Sequence, residues 1–112
     1  MEENKKSNSN ELSTIESAVE EIRKGKMVIV VDEAERENEG DIIMAAELIN
    51  PGQVNFITRE ARGILCVAIN EKRAEELDLE LMVEQNTALH QTPFTVSIDF
   101  KRGTTTGIST FD

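Results

Sequence analysis

The sequence predicts an α/β fold, in which a mixed β-sheet is flanked by helices in an α+β layered arrangement. Segments with helical periodicity alternate along the chain with short runs rich in β-branched residues, and this interleaving is typical of layered α/β domains. The 112 residues correspond to one domain that can bury a core without disulfide bonds. We assign residues 1–12 to a flexible polar tail and residues 13–112 to the domain.

The first helix is expected to begin after Ser13, because Glu16 follows it at the spacing of a capping box. Gly25 is the expected end of this helix, since glycine commonly follows the last helical turn. Between them, apolar residues recur on one helical face, namely Ile15, Ala18, Val19 and Ile22.

Two strands are expected next, at KMVIVVD (residues 26–32) and DIIMAAE (residues 41–47). The first is short and rich in β-branched residues, which predicts a buried strand. Pro51 and Gly52 then predict a turn. A short helix is expected in VNFITREAR (residues 54–62), ended by Gly63.

The second half of the chain is expected to add two more strands and one more helix. ILCVAI (residues 64–69) predicts a third strand, and Asn70 is the expected N-cap of a helix in residues 71–79. Residues 81–93 lack a period and predict a long loop. FTVSIDF (residues 94–100) alternates apolar and polar residues, as a half-buried strand does.

Composition excludes several functional classes. The net charge is −10, from 22 acidic and 12 basic residues, so a basic face for nucleic acid is not expected. The longest apolar run has six residues, far below the roughly 20 that span a bilayer. The polar start lacks the apolar stretch of a signal peptide. Cys66 is the only cysteine, which excludes an intrachain disulfide and fits the reducing cytoplasm.

The segment DEAERENEGD, residues 32–41, concentrates six carboxylates between two apolar runs. Arg36 lies among them, and Gly40 permits a tight bend before the next strand. On an extended backbone, four of the carboxylates would point to one side, which is costly unless a cation compensates their charge. These four are Glu35, Glu37, Glu39 and Asp41.

Magnesium suits this segment better than calcium or zinc. An EF-hand aligned on Gly40 would require glutamate where Ala46 stands. One histidine and one cysteine cannot form a typical zinc site. Magnesium usually takes one or two protein carboxylates together with water and substrate oxygens. The alternative is a solvated loop whose charges are screened by water and salt.

Three further features are candidates for function. GTTTG (residues 103–107) offers hydroxyl and backbone N–H groups that can cradle a phosphate beside Lys101 and Arg102, although a plain turn is the simpler interpretation. Cys66 is expected to pack as a core thiol. His90, the only histidine, lies in a predicted loop, where a structural role is more common than a catalytic one.

Four segments in this order resemble 3,4-dihydroxy-2-butanone 4-phosphate synthase, from about Ile15 to Asp112. They are DEAERENEGDIIMAAE, RGILCVAI, LMVEQNTALHQTPFTVSID and GTTTGIS. The resemblance implies a lyase of riboflavin biosynthesis that converts D-ribulose 5-phosphate to formate and L-3,4-dihydroxy-2-butanone 4-phosphate. It also implies the synthase fold, a Mg²⁺ or Mn²⁺ cofactor and a homodimer with the active site at the subunit interface.

The resemblance assigns roles to particular residues in the acidic segment. Glu37 is implied to bind the metal and the substrate. Arg36 and Asp41 are implied substrate contacts, and Asp41 and Glu39 are implied to lie near the sugar hydroxyls. Glu37, Glu39 and Asp41 are therefore the expected catalytic carboxylates.

Elsewhere, the resemblance implies that Thr106 lies near the phosphate end of the substrate and that Cys66 and the His90 loop line the site. Family members continue beyond the equivalent of Asp112 into an Arg-x-Gly-His-Thr segment, whose histidine is the second metal ligand, and then to a further histidine and a glutamate. We therefore expect this chain to be the N-terminal part of a synthase domain, with little activity alone. In many bacteria the domain is fused to GTP cyclohydrolase II.

Two other hypotheses remain open at this point. A non-catalytic module that binds a divalent cation or a sugar phosphate would also keep the acidic segment and the Gly/Thr segment. An acidic α/β domain with a merely solvated loop would need neither ligand.

Overall fold

The computed structural model describes residues 12–112. The chain divides into two compact units, Met1–Asn50 and Pro51–Asp112, and each is described by itself. The first unit is described from Leu12 onward, so the predicted flexible tail lies outside the described residues except for Leu12.

Helix α1, Ile15–Arg23, opens the first unit. Its N-cap is Thr14, whose hydroxyl accepts the Ser17 N–H at 3.2 Å. The prediction of Ser13 as the cap is wrong by one residue, because the side chain that accepts a free amide of the first turn belongs to Thr14. The predicted end is confirmed: Gly25 has φ +77° and donates its N–H to the Ile22 carbonyl at 2.9 Å.

Strands β1, Val28–Val31, and β2, Gly40–Ile43, form an antiparallel pair. The register runs from Val28 opposite Ile43 to Val31 opposite Gly40. Both predicted strands are confirmed over these residues. The second is shorter than predicted, because a 3₁₀ helix, Ala46–Leu48, takes up the end of DIIMAAE.

Helices α2, Pro51–Ala61, and α3, Glu71–Glu76, belong to the second unit. The predicted turn at Pro51 and Gly52 is wrong, because both residues lie inside α2. Proline suits the first helical turn, where its fixed φ is favourable and no N–H is required. The predicted cap of α3 is confirmed, since the Asn70 side chain accepts the Arg73 N–H at 2.8 Å.

Two predicted strands of the second unit form no β-ladder with another strand within the described residues. Residues 64–69 pair with no neighbour there, and residues 94–100 form only an isolated antiparallel bridge from Thr95 to Leu81. A β-branched or alternating pattern favours an extended backbone, whereas a strand also needs a partner. The predicted mixed sheet is thus represented by one antiparallel pair, and the helices and strands together place the chain in the α/β class.

Apolar side chains remain accessible throughout the described residues, and none of them is fully buried. The predicted burial of β1 is wrong, because Ile29 is 72% exposed. Half of the apolar face of α1 is also exposed, while Ala18 and Ile22 are half-buried. Both units therefore present apolar faces that the described residues do not cover. Among residues 12–112, we find no helix long and apolar enough to cross a membrane.

The assignment of Thr14 as the helix cap can be tested by removing the hydroxyl of Thr14 or that of the adjacent Ser13. Thr14→Ala removes the acceptor for the Ser17 N–H, and we expect it to lower the free energy of unfolding by about 1 kcal/mol. Ser13→Ala is the matched control and should change it little. Urea denaturation measures both losses. Equal losses, or a larger loss for Ser13→Ala, would contradict the assignment of Thr14 as the cap.

Candidate functional site

The acidic loop, residues 32–39, joins β1 to β2. It turns back on itself: the Glu33 carbonyl accepts the N–H groups of Arg36 at 3.0 Å and Asn38 at 3.3 Å. Asn38 adopts φ +52°, a left-handed conformation that asparagine tolerates well. The loop is therefore a compact turn, so the prediction that an extended backbone directs alternate carboxylates to one side is wrong.

Asp32 is the centre of this turn. Its Oδ1 accepts the Glu39 N–H at 2.9 Å, and its Oδ2 accepts the Glu37 N–H at 3.0 Å and Nη1 of Arg36 at 2.9 Å. The Asp32 side chain is only 20% exposed. The Glu39 N–H contributes most to lowering the pKa of the Asp32 carboxyl below its usual value, partial desolvation opposes it, and the Glu37 N–H and Arg36 add to it.

Sequence reasoning counted Asp32 among the carboxylates and gave it no role of its own. The available signal was its position, because an aspartate directly after a strand often accepts amides of the following turn. The contacts to Glu37 and Glu39 lie five and seven residues away, so their identity depends on the hairpin register.

The structure brings some of the predicted site residues together. Nη2 of Arg36 lies 3.2 Å from Oε1 of Glu37, and the Glu37 side chain is 23% exposed. Arg36 thus bridges two carboxylates of its own loop. Glu39 is exposed, with its amide held by Asp32. Asp41 lies in β2 opposite Val30 and is exposed as well.

A protein site with three metal ligands is not assembled in the part of the chain that the structure describes. Among those residues, no group of three or more His, Cys, Asp or Glu side chains could hold a metal ion. Glu37 nevertheless fits as a single ligand, since its carboxylate is partly exposed and only Oε1 pairs with Arg36. This chemistry suits magnesium, which accepts one or two protein carboxylates and completes its shell with water or substrate oxygens.

The threonine loop, residues 103–107, lies in the second unit and is held by Asp112. The Thr105 N–H donates to Oδ1 of Asp112 and the Gly107 N–H to Oδ2, both at 2.9 Å. The amides predicted to cradle a phosphate therefore bind the chain's own carboxylate. The N–H of Thr105 is the main cause that lowers the pKa of the Asp112 carboxyl, against partial desolvation. Thr106 stands exposed between the two amides.

Cys66 and His90 are both exposed. The prediction of Cys66 as a packed core thiol is therefore wrong for the described residues, because the segment around it pairs with no neighbouring strand. His90 lies in a turn of the predicted long loop. The structure describes both residues in the second unit, separately from the acidic loop.

The hollows of the second unit do not coincide with its predicted site residues. The second unit has open hollows of about 340 and 590 Å³. The larger is lined by apolar side chains such as Leu65 and Ile98 together with polar ones that include Asp99 and Asp112. Neither hollow is lined by Thr106, Cys66 or His90. The acidic loop and the threonine loop are therefore two separate candidates defined by their polar groups, and Gly107 of the threonine loop lines the larger hollow.

Comparison with known proteins shows the family to which the chain is similar. Residues 16–112 match the family model of 3,4-dihydroxy-2-butanone 4-phosphate synthase. The riboflavin biosynthesis protein RibBA of Chlorobium phaeovibrioides is 58% identical over 102 residues, which are 90% of this chain and 25% of that protein. The 3,4-dihydroxy-2-butanone 4-phosphate synthase of Oceanobacillus iheyensis is 52% identical, over 92% of this chain and 49% of that protein.

Solved structures give the same result. A 3,4-dihydroxy-2-butanone 4-phosphate synthase in complex with two magnesium ions is similar with a TM-score of 0.86 and 37% identity, covering 90% of this chain and 47% of that one. RibBX, a two-domain 3,4-dihydroxy-2-butanone 4-phosphate synthase from A. baumannii, has a TM-score of 0.78 and 47% identity, covering 88% and 29%. The chain thus spans between a quarter and a half of these relatives.

The acidic loop has a testable pH dependence. The pKa of Asp32 is lower in the folded chain than in the unfolded one, so its stabilising contacts are complete above the unfolded value of about 3.9 and are lost as pH falls through the lower folded value. We expect the NMR signals of the Glu37 and Glu39 amides to shift only below pH about 3.9. Asp32→Asn should abolish this transition. A midpoint at or above the unfolded value would contradict the prediction.

The threonine loop offers a matched pair of glycines. Gly107 and Gly103 have φ +81° and +73°, so alanine at either position should cost about 1 kcal/mol of unfolding free energy. A Cβ on Gly107 would also lie 2.7 Å from both carboxylate oxygens of Asp99, whereas nothing lies within 4 Å at Gly103. We therefore expect urea denaturation to show a larger loss for Gly107→Ala.

The double variant Gly107→Ala/Asp99→Ala, compared with Asp99→Ala, is the control for that contact. In the Asp99→Ala background, Gly107→Ala should lower the free energy of unfolding only as much as Gly103→Ala does. Equal losses for the two single glycine variants would show that the Asp99 carboxylate does not restrict the loop.

Proposed function

The chain belongs to the 3,4-dihydroxy-2-butanone 4-phosphate synthase family, and from this we propose that the protein containing it converts D-ribulose 5-phosphate to formate and L-3,4-dihydroxy-2-butanone 4-phosphate in riboflavin biosynthesis. The family match over residues 16–112 carries this proposal, because it includes both the acidic loop and the threonine loop. Since the chain spans 49% of the Oceanobacillus synthase, the complete reaction is proposed for the whole protein.

The acidic loop would bind the metal and the reacting end of the sugar. We propose Glu37 as a metal ligand and a substrate contact, supported by its partly exposed carboxylate, of which only Oε1 pairs with Arg36. The similar structure that contains two magnesium ions favours Mg²⁺, and Mn²⁺ also prefers oxygen ligands. When bound, such an ion would stabilise the negative charge that develops on substrate oxygens during enediol formation.

The remaining residues would bind the substrate and move its protons. Glu39 and Asp41 are exposed carboxylates, and each can accept a proton or a hydrogen bond from a sugar hydroxyl. Arg36 would contact the substrate while it orients Glu37. Thr106 would bind near the phosphate end, and Cys66 would line the site. Together they would hold the sugar so that the proton next to its carbonyl can be removed.

The assembly of the whole protein is also a proposal. We propose a cytoplasmic homodimer with no membrane or nucleic-acid partner, in agreement with the net charge of −10. Fusion to GTP cyclohydrolase II is proposed as well. It is supported by the RibBA relatives, of which this chain covers 25%.

A second candidate is a non-catalytic module that binds a divalent cation or a sugar phosphate. It would use the acidic loop and the threonine loop alone, and both lie within the residues that the family model matches. Under this hypothesis the loops would bind their ligands without turnover. Formate release separates the two functions.

The decisive measurement is formate release from D-ribulose 5-phosphate with Mg²⁺ by the full-length protein. We expect turnover, and we expect Glu37→Gln to reduce it about 100-fold or more, because the variant loses the charged metal ligand. The 112 residues alone should release little formate.

Glu33→Gln is the matched control, since it removes a carboxylate of the same loop whose backbone carbonyl, rather than its side chain, supports the turn. It should leave turnover almost unchanged. Absence of formate from folded full-length protein would favour the binding module. Formate release that is unaffected by Glu37→Gln would refute the role of Glu37.

A further inference from the structure

One carboxylate closes the threonine loop. Both amides that converge on Asp112, those of Thr105 and Gly107, donate at 2.9 Å, and the Thr105 hydroxyl donates to Oδ2 at 2.9 Å as well. Two N–H groups that stand two residues apart and face one anion form an anion-binding concavity of the backbone. In this chain the anion in that concavity is a side chain.

The carboxylate is itself fixed in place. The Asp112 N–H donates to the Ser109 carbonyl at 2.9 Å, and the Phe111 N–H donates to the Ser109 hydroxyl at 3.3 Å. At the other side of the loop, the Thr104 hydroxyl donates to the Phe100 carbonyl. The loop is therefore anchored at both sides of Thr106.

Thr106 differs from the two threonines before it. The Thr104 hydroxyl donates to the Phe100 carbonyl, and the Thr105 hydroxyl donates to the Asp112 carboxylate. Thr106 is exposed, and its hydroxyl donates to none of the residues that the structure describes. Its direction is set by the backbone between the Thr105 and Gly107 amides, and both of these amides are held by Asp112.

We propose that Asp112 is a positioning residue that fixes the threonine loop and so presents the Thr106 hydroxyl to the phosphate end of the substrate. The inference rests on the proposed function for the role of Thr106. By filling the concavity, Asp112 also keeps phosphate away from the two amides, so the phosphate is recognised by a side-chain hydroxyl. Three donors compensate the Asp112 charge, which limits its repulsion of the substrate.

The first experiment needs no substrate. Amide hydrogen exchange is measured by NMR in the full-length protein and in Asp112→Asn. Exchange at Thr105 and Gly107 should become about tenfold faster or more, since an amide cannot replace a carboxylate as acceptor for both N–H groups. Asp78→Asn is the matched control, because Asp78 is exposed in the same unit and uses only its backbone N–H, to the Glu75 carbonyl.

The second experiment measures D-ribulose 5-phosphate affinity by calorimetry for Thr106→Ala, Asp112→Asn and the double variant. Each single change should weaken binding about tenfold, and the double variant should be no weaker than Thr106→Ala, because Asp112 acts through Thr106. A third measurement adds inorganic phosphate to the wild-type protein. The Thr105 and Gly107 amides should keep their slow exchange.

Every outcome decides a part of the inference. Unchanged exchange in Asp112→Asn overturns it, and so do additive losses of affinity. Phosphate that replaces Asp112 as acceptor, seen as a direct shift of the Thr105 and Gly107 amide signals, also overturns it. If Thr106→Ala leaves affinity unchanged, the proposed substrate role of Thr106 fails, while the exchange measurement still shows whether Asp112 holds the loop.

Discussion

The hydrogen bonds between the Asp32 carboxylate and the amides of Glu37 and Glu39 organise the loop on which the proposed chemistry depends. The β1–β2 register ends at Val31 opposite Gly40, so the next residue on the first strand faces the returning chain. An aspartate at that point satisfies amides that would otherwise need water. The same contacts orient Arg36, which in turn pairs with Glu37. Removing one carboxylate would therefore disturb the backbone, the guanidinium and the proposed metal ligand together.

The acidic loop and the threonine loop are held by the same kind of contact. In the acidic loop and in the threonine loop, amides two residues apart donate to one aspartate carboxylate. Each loop is thus ordered by a carboxylate of the chain itself. Preorganised loops lose less conformational entropy when they bind a ligand. The side chains between the held amides then remain accessible, as Thr106 does.

Several features that depend on neighbouring residues could be predicted from the sequence, although the cap at Ser13 and the turn at Pro51 and Gly52 were not among them. Features that depend on a distant partner could not be predicted. The Asn70 cap, the Gly25 stop and the β-branched run at β1 are local, and all three are confirmed. ILCVAI has the composition of a strand, but no composition supplies a pairing neighbour. The spacing of alternate carboxylates predicts an extended acidic segment. This pattern contains no sign of the hydrogen bonds that Asp32 accepts across the hairpin from Glu37 and Glu39. The family's motifs predict which segments carry function without showing how those segments are held.

The pairing of Arg36 with two carboxylates also affects how anions approach this chain. The chain carries a net charge of −10, so its long-range field repels anions, and the guanidinium of Arg36 is already paired with Asp32 and Glu37. This repulsion is screened beyond a Debye length, about 8 Å at physiological ionic strength. Added salt therefore makes the approach of an anion easier, the reverse of the behaviour of proteins that steer anions through a basic cleft.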